Sequence, residues 1–301
     1  MPLFWGFWEK AKDQLRLEQV RLFKEMVAKE HPEVYTEGVL GVGSDTPNLD
    51  AQIGDFLRHT ANDAAAMREM SNALDHDLPD YLVKFEKEFP DFRCESPLYF
   101  LVSLGAFDGA VRSVNGAPAL LFGVDVIAAI HPRGALGALV DHELFHVYHR
   151  QITGMVAGIG VPLYLALWEE GLATYVSQLL NPTVSESEVL GRPKDLAQRV
   201  RPLLPQIARE LLRNMDRTST DEYERFFWGG SAQKDIPPRC GYYVGLLVAR
   251  ELGRTRSLQE LARIDGEPLR VTVRRVLEEI ANQRTQLWNK SLPVMNRSTT
   301  T

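Results

Sequence analysis

Leucine, valine and phenylalanine recur at helical spacing over residues 8–30 and again over 48–77, with charged residues between them. Two long amphipathic helices are predicted there, the second capped by Asn48 or Asp50. A shorter helix over 80–89 ends before Pro90. The pattern then changes. Pro97 to Leu104 and Ala117 to Ile130 are rich in Leu, Val and Phe, with Gly signals and the turn pair Asn115-Gly116 between them. These stretches read as two or more strands. Helical spacing resumes before Gly154 and returns at about 165–180, 194–215, 240–253 and 268–283, with Pro202, Pro205, Pro237 and Pro238 marking kinks or boundaries. The expected fold is α+β and mainly helical, with a small sheet ahead of the central helices. An N-terminal helical region (1–92), a second region (93–288) and a polar tail (289–301) are the expected divisions.

The first central helix carries His142-Glu143-Leu144-Phe145-His146. Residues i and i+4 lie on one helical face, so His142 and His146 can point imidazoles at one ion, at roughly 2.0–2.1 Å each for zinc. Glu143 is one residue round the helix and can act as a base on a metal-activated water. A third ligand is still needed. A histidine in the pattern H-E-x-x-H-x-x-G-x-x-H is excluded, because His149 and Ile152 occupy the last two defined positions. The inverted H-x-x-E-H pattern is absent. What remains is a glutamate on the following helix, within Trp168-Glu169-Glu170-Gly171-Leu172-Ala173-Thr174-Tyr175. Glu170 is the candidate and Glu169 the alternative. The first helix would finish near Gly154, turn through Gly158, Gly160 and Pro162, and return alongside. His149 lies about 10 Å along the axis from His142, too far to share its ion, and reads as a rim or packing residue.

The pair H-E-L-F-H and W-E-E-G-L-A-T-Y resembles the gluzincins, and among them the bacterial predicted zinc-dependent proteases. The resemblance covers about 141–178 and, more weakly, 237–249. It implies a gluzincin-like catalytic core with one Zn²⁺ per chain on His142, His146 and Glu170, Glu143 as general base, and a peptide or protein as substrate. Similar proteases carry a G-Y-x-x-G helix downstream, matched here by Gly241-Tyr242-Tyr243-Val244-Gly245. A tyrosine hydroxyl there would steady the oxyanion, Tyr242 by motif position, with Tyr243 as the alternative. Many gluzincins place an acid four residues after the third ligand; here that residue is Thr174. The outer contacts of the histidines would then fall to Asp141 or a backbone carbonyl. No G-x-M-E-N exopeptidase signature occurs, so an endopeptidase is expected. The competing reading is a catalytically silent metal-binding relative that binds a peptide or protein partner. A di-iron bundle would need a second E-x-x-H, and none occurs.

A strand ahead of the motif helix could pair with an extended peptide, and Pro118–Gly123 is the candidate edge. Phe226-Phe227-Trp228-Gly229-Gly230 reads as an aromatic loop, a subsite or helix-end packing. The 301 residues are enough for a substantial core, and a net charge of −6 gives no basic footprint for nucleic acid. Cys94 and Cys240 make no disulfide framework, and Cys240 reads as a small buried residue. The N-terminal apolar run is interrupted at Glu9, too early for a secretory core. The default expectation is cytoplasmic, with export if a leader precedes the chain. The most apolar later run, Met155 to Trp168, is too short to span a bilayer.

Overall fold

Residues 8–30 form two helices rather than one. α1 (Pro2–Ala11) ends where the Gln19 side chain donates to the Ala11 carbonyl at 2.9 Å. α2 (Arg16–Phe23) packs on it, with Phe7 edge-on to Phe23, and closes in a π-turn over Lys24–Ala28. α3 (Glu37–Leu40) and α4 (Leu49–Leu57) each start on a side-chain cap, Thr36 and Asn48 accepting from the N–H groups of Val39 and Ala51. α5 (Thr60–Glu88) runs through Pro79, so the expected break before residue 80 is absent. An interior proline costs on the order of 3 kcal/mol. The buried face Met67, Met70, Leu74 and Phe85 holds the helix together on both sides of it. This computed structural model describes residues 1–41, 48–154, 158–228 and 234–282.

β1 (Leu98–Leu101), β2 (Gly109–Val114) and β3 (Ala117–Gly123) form one sheet in the order β1-β3-β2. β3 is antiparallel to β2 across Asn115-Gly116, whose φ values of 51° and 80° suit the two-residue turn of that pair. It is parallel to β1. The predicted edge Pro118–Gly123 is therefore the central strand. Leu120, Leu121 and Phe122 are fully buried, and an apolar run without alternation belongs to a strand covered on both faces. β2 is an edge instead. Its preceding residue, Asp108, accepts at its carbonyl from Gly123 N–H at 2.8 Å. Alternation then turns the backbone groups of Gly109, Val111 and Ser113 away from β3, and among the described residues no strand pairs with that side.

Val124–Ile130 is a helix, α6, where a strand was expected. Val124 and Ile127 are buried three residues apart, a helical period hidden in a β-branched composition. Asp125 ties α6 to the loop after β1, accepting from the N–H groups of Ser103 and Gly105 at 2.7 Å each. α7 (Leu136–Thr153) stops at Gly154, whose φ of 70° is the left-handed helix end that glycine adopts freely. α8 (Leu163–Leu180) is buried without interruption from Ala166 to Ser177. Its buried stretch is mainly apolar, but it also buries Glu169, Glu170, Thr174 and Ser177. α9 (Glu186–Leu190) begins in a capping box on Ser185.

The chain divides into two contact-defined units, Met1–Met155 with Ala173–Lys194, and Val156–Leu172 with Asp195–Thr301. The division falls inside α8, which continues unbroken through it. In the second unit Pro202 and Pro205 split the expected 194–215 helix into α10 (Leu196–Val200) and α11 (Leu204–Asn214). α12 (Thr220–Tyr223) leads into a π-turn over Glu224–Trp228, followed by α13 (Cys240–Leu252), α14 (Leu258–Ala262) and α15 (Gly266–Ala281), which packs on α11. Phe226 and Phe227 are buried in that π-turn, so for these two the aromatic segment is helix-end packing. Gly229, Gly230 and the tail from Asn289 lie outside the described residues. The fold is mainly helical α+β. Among the described residues no helix is long and apolar enough to cross a membrane.

Candidate metal centre

His142 and His146 sit one turn apart on α7 and are half-buried. Their Nε2 atoms are 3.1 Å apart. Two nitrogens bound to one zinc at a tetrahedral angle would stand about 3.4 Å apart. The pair therefore fits a shared ion with a shift of a few tenths of an ångström. Glu170 on α8 supplies a buried carboxylate. The ligand atoms of His142, His146 and Glu170 all lie within 4.8 Å of one another, and the group could hold a metal ion. Glu169, the alternative, is buried but stands about 100° round α8 and is not part of the group. Among the described residues no second group of this kind occurs, as a two-metal carboxylate site would require.

Glycines explain how α8 is placed. A Cβ on Gly171 would lie 2.2 Å from the carbonyl carbon of Gly245, and one on Gly245 would lie 2.4 Å from the Leu167 carbonyl oxygen. α8 and α13 thus cross backbone on backbone, one residue from Glu170. Gly241, one turn earlier on α13, accommodates the Phe227 ring, which would stand 2.7 Å from a Cβ there. The start of α8 is fixed as well: the N–H groups of Leu163 and Tyr164 donate to the carbonyls of Arg217 and Met215, both at 2.9 Å. Tyr242 and Tyr243 diverge on α13. Tyr243 is buried, and its hydroxyl accepts from Arg201 Nε at 2.9 Å. Tyr242 lies edge-on to Phe227 with the Arg239 guanidinium 4.2 Å over its ring.

The C-terminal half of α8 is latched to α7. Ser177 Oγ donates to the Ala138 carbonyl at 2.6 Å, and the Asn181 amide donates to Asp141 Oδ2 at 2.7 Å. Lys84 from α5 completes the cluster, 2.6 Å from Asp141 Oδ2 and 2.9 Å from Asn181 Oδ1. The expectation that Asp141 supports a ligating histidine is corrected here: its partners are Lys84 and Asn181. At about 100° per residue Asp141 stands roughly 100° from His142 and 140° from His146, off their shared face, whereas Glu143 stands only about 60° from His146. Burial pushes its carboxyl pKa up, against the opposing pull of Lys84 and Asn181. Glu170, Ser177 and Asn181, the last directly after α8, are spaced seven and four residues apart, a single helical face.

Glu143 is 7% exposed and lies against the first residue of β2. A Cβ on Gly109 would stand 2.6 Å from Cγ, Cδ and Oε1 of Glu143. Asp108 fixes this point of the strand. Its Oδ1 accepts from Gly109 N–H at 2.9 Å, and its Oδ2 is 2.7 Å from His131 Nε2. His149 is buried and stacked on Phe145, a packing residue. Cys240 is buried, with its thiol pushed up to about 12, and Cys94 is likewise free. The sequence motifs point to the proposed ligands and base but not to Gly109, Gly137, Lys84 or Asn181. Their roles depend on partners 34 to 97 residues away in the chain. For Gly109 and Gly137 the cue was glycine itself, at positions where no turn is needed. No family model matches the chain, and comparison with curated proteins and with solved structures likewise gives no match.

Proposed function

We propose that the protein is a zinc-dependent peptidase of gluzincin type. The observation that carries this reading is the convergence of His142, His146 and Glu170 within 4.8 Å, with the buried carboxylate of Glu143 on the same turn of α7. His142, His146 and Glu170 would hold the ion, a two-histidine, one-carboxylate set that leaves a position open. When bound, zinc supplies a Lewis acid and lowers the pKa of water to about 7. Glu143 takes the proton of the attacking water and passes it to the leaving amine. Tyr242 donates to the developing oxyanion. Its place one turn from the Gly171–Gly245 crossing supports this choice, as does the engagement of the Tyr243 hydroxyl by Arg201.

The outward backbone of β2, beginning at Gly109 beside Glu143, is the edge on which an extended peptide would lie. Val111 and Ser113 continue it away from the site, about 3.4 Å per residue. Such an edge would hold the substrate chain on the side of the scissile bond that runs along β2.

The test is elemental mass spectrometry on protein purified without added metal or chelator, followed by digestion of a mixed peptide library with and without chelator. One zinc per chain and chelator-sensitive cleavage are expected. One zinc without cleavage would move the protein to a silent, partner-binding role. No zinc, with none taken up on addition, would sink the reading.

A further inference from the structure

We propose that Gly109 is a positioning residue for Glu143: the bare backbone at the start of β2 is the seat that fixes the carboxylate of the base. The inference rests on the peptidase reading for its functional part and on geometry alone for the contact. Gly109 is not among the glycines with positive φ, so its backbone conformation would accept any residue. What excludes a side chain is Glu143, three of whose atoms lie 2.6 Å from the place a Cβ would take. Real Cβ atoms do not approach so closely, and Glu143 is too buried to swing clear into solvent.

The seat is itself held from three directions. The Gly109 N–H donates to the Asp108 carboxylate, the other oxygen of that carboxylate meets His131, and the Asp108 carbonyl takes the Gly123 N–H of the central strand. Sheet and α6 end thus converge on one glycine, and the Glu143 side chain lies against it. The same point begins the strand edge offered to substrate. Gly109 would therefore set the carboxylate relative to the incoming carbonyl, while His142, His146 and Glu170 are positioned by other contacts.

Gly109→Ala is expected to keep one zinc per chain and to lose at least about 100-fold in turnover, the scale of general-base catalysis, with the loss in kcat rather than KM. Glu143→Asp retracts the carboxylate by one methylene. Added to Gly109→Ala, it should restore part of that loss, although alone it lowers activity. A urea-unfolding double-mutant cycle reads the contact without any activity. Gly109→Ala should lower the midpoint with Glu143 present and leave it unchanged in the Glu143→Ala background. Full turnover in Gly109→Ala would overturn the proposal. So would an equal loss of midpoint in both backgrounds, or a failure of both variants to fold. If the wild type neither holds zinc nor cleaves peptide, the peptidase reading fails, while the cycle still decides whether Gly109 seats Glu143.

Discussion

Two sides of α7 carry two carboxylates, two residues apart, in different company. On one side Asp141 is fully buried against an ammonium at 2.6 Å and an amide at 2.7 Å, a polar cluster with its counter-charge built in. On the other, Glu143 is nearly as buried, but what it lies on is the backbone of a glycine, beside two imidazoles that converge with a third carboxylate. Helical phase alone separates the two. A carboxylate given its own cation is committed to holding helices together. On the proposed reading, Glu143 is the carboxylate that exchanges a proton.

Removing the base should break the comparison most sharply. Glu143→Gln is isosteric, so zinc content and unfolding midpoint should stay at wild-type values while turnover falls by roughly 10²–10⁴. Paired measurements of peptide hydrolysis and elemental zinc check this, and full activity would remove the base assignment. His146→Ala and Glu170→Ala should lose zinc along with turnover.

Next in size is the crossing that sets Glu170. In Gly171→Ala the new methyl meets backbone atoms at 2.2–2.5 Å, which cannot yield as a side-chain end can. Overpacking against movable side chains costs about 1–3 kcal/mol, so a destabilisation at or beyond the upper end is expected. Zinc affinity should fall with it, because Glu170 is the adjacent residue. Chemical unfolding and zinc titration would detect both, and a variant as stable as wild type would mean that α8 and α13 can separate at little cost.

Lys84→Met tests the other side of α7. It leaves Asp141 buried with the Asn181 amide as its remaining charge-stabilising partner. Breaking a buried pair costs about 3–5 kcal/mol, and the lower figure applies because the Lys84 side chain is 31% exposed. Turnover per folded chain and zinc per folded chain should not change. Loss of zinc without loss of stability would show that the latch tunes the ligands after all.

How much of this was legible in the sequence divides along the same line. The grouping of His142, His146 and Glu170 was readable because H-E-x-x-H encodes a helical face in five residues. Gly154 announced the end of α7, and Asn115-Gly116 the turn before β3. The latch was not readable, since Lys84, Asp141 and Asn181 meet only through the packing of three helices. The central position of β3 was missed because strand order is a tertiary fact; its unbroken apolar run was the available cue. α6 was missed because β-branched residues outvoted a helical period of barely two turns. The division of residues 8–30 coincides with a side-chain cap inside the segment, the Gln19 amide on the Ala11 carbonyl.

The smallest predicted effect follows from a balance of two opposing magnitudes. Gly137 lies in the first turn of α7, where alanine's advantage over glycine is at most the interior value of about 1 kcal/mol. Its Cβ, however, would lie 2.8 Å from Asn181 Oδ1 and 3.0 Å from the Tyr81 ring. Both neighbours are side chains, so they can give way, and overpacking of this kind costs about 1–3 kcal/mol. Gly137→Ala should therefore destabilise by roughly 0–3 kcal/mol. Displacing the Asn181 amide also weakens its bond to Asp141, which pushes the result towards the upper end. In the Asn181→Ala background the obstruction is largely gone, and the same substitution should become neutral or stabilising. Urea unfolding of the four proteins gives the answer. A Gly137→Ala penalty that survives removal of Asn181 would assign the glycine to Tyr81 instead, and would leave the latch as a three-residue cluster with no claim on the helix backbone.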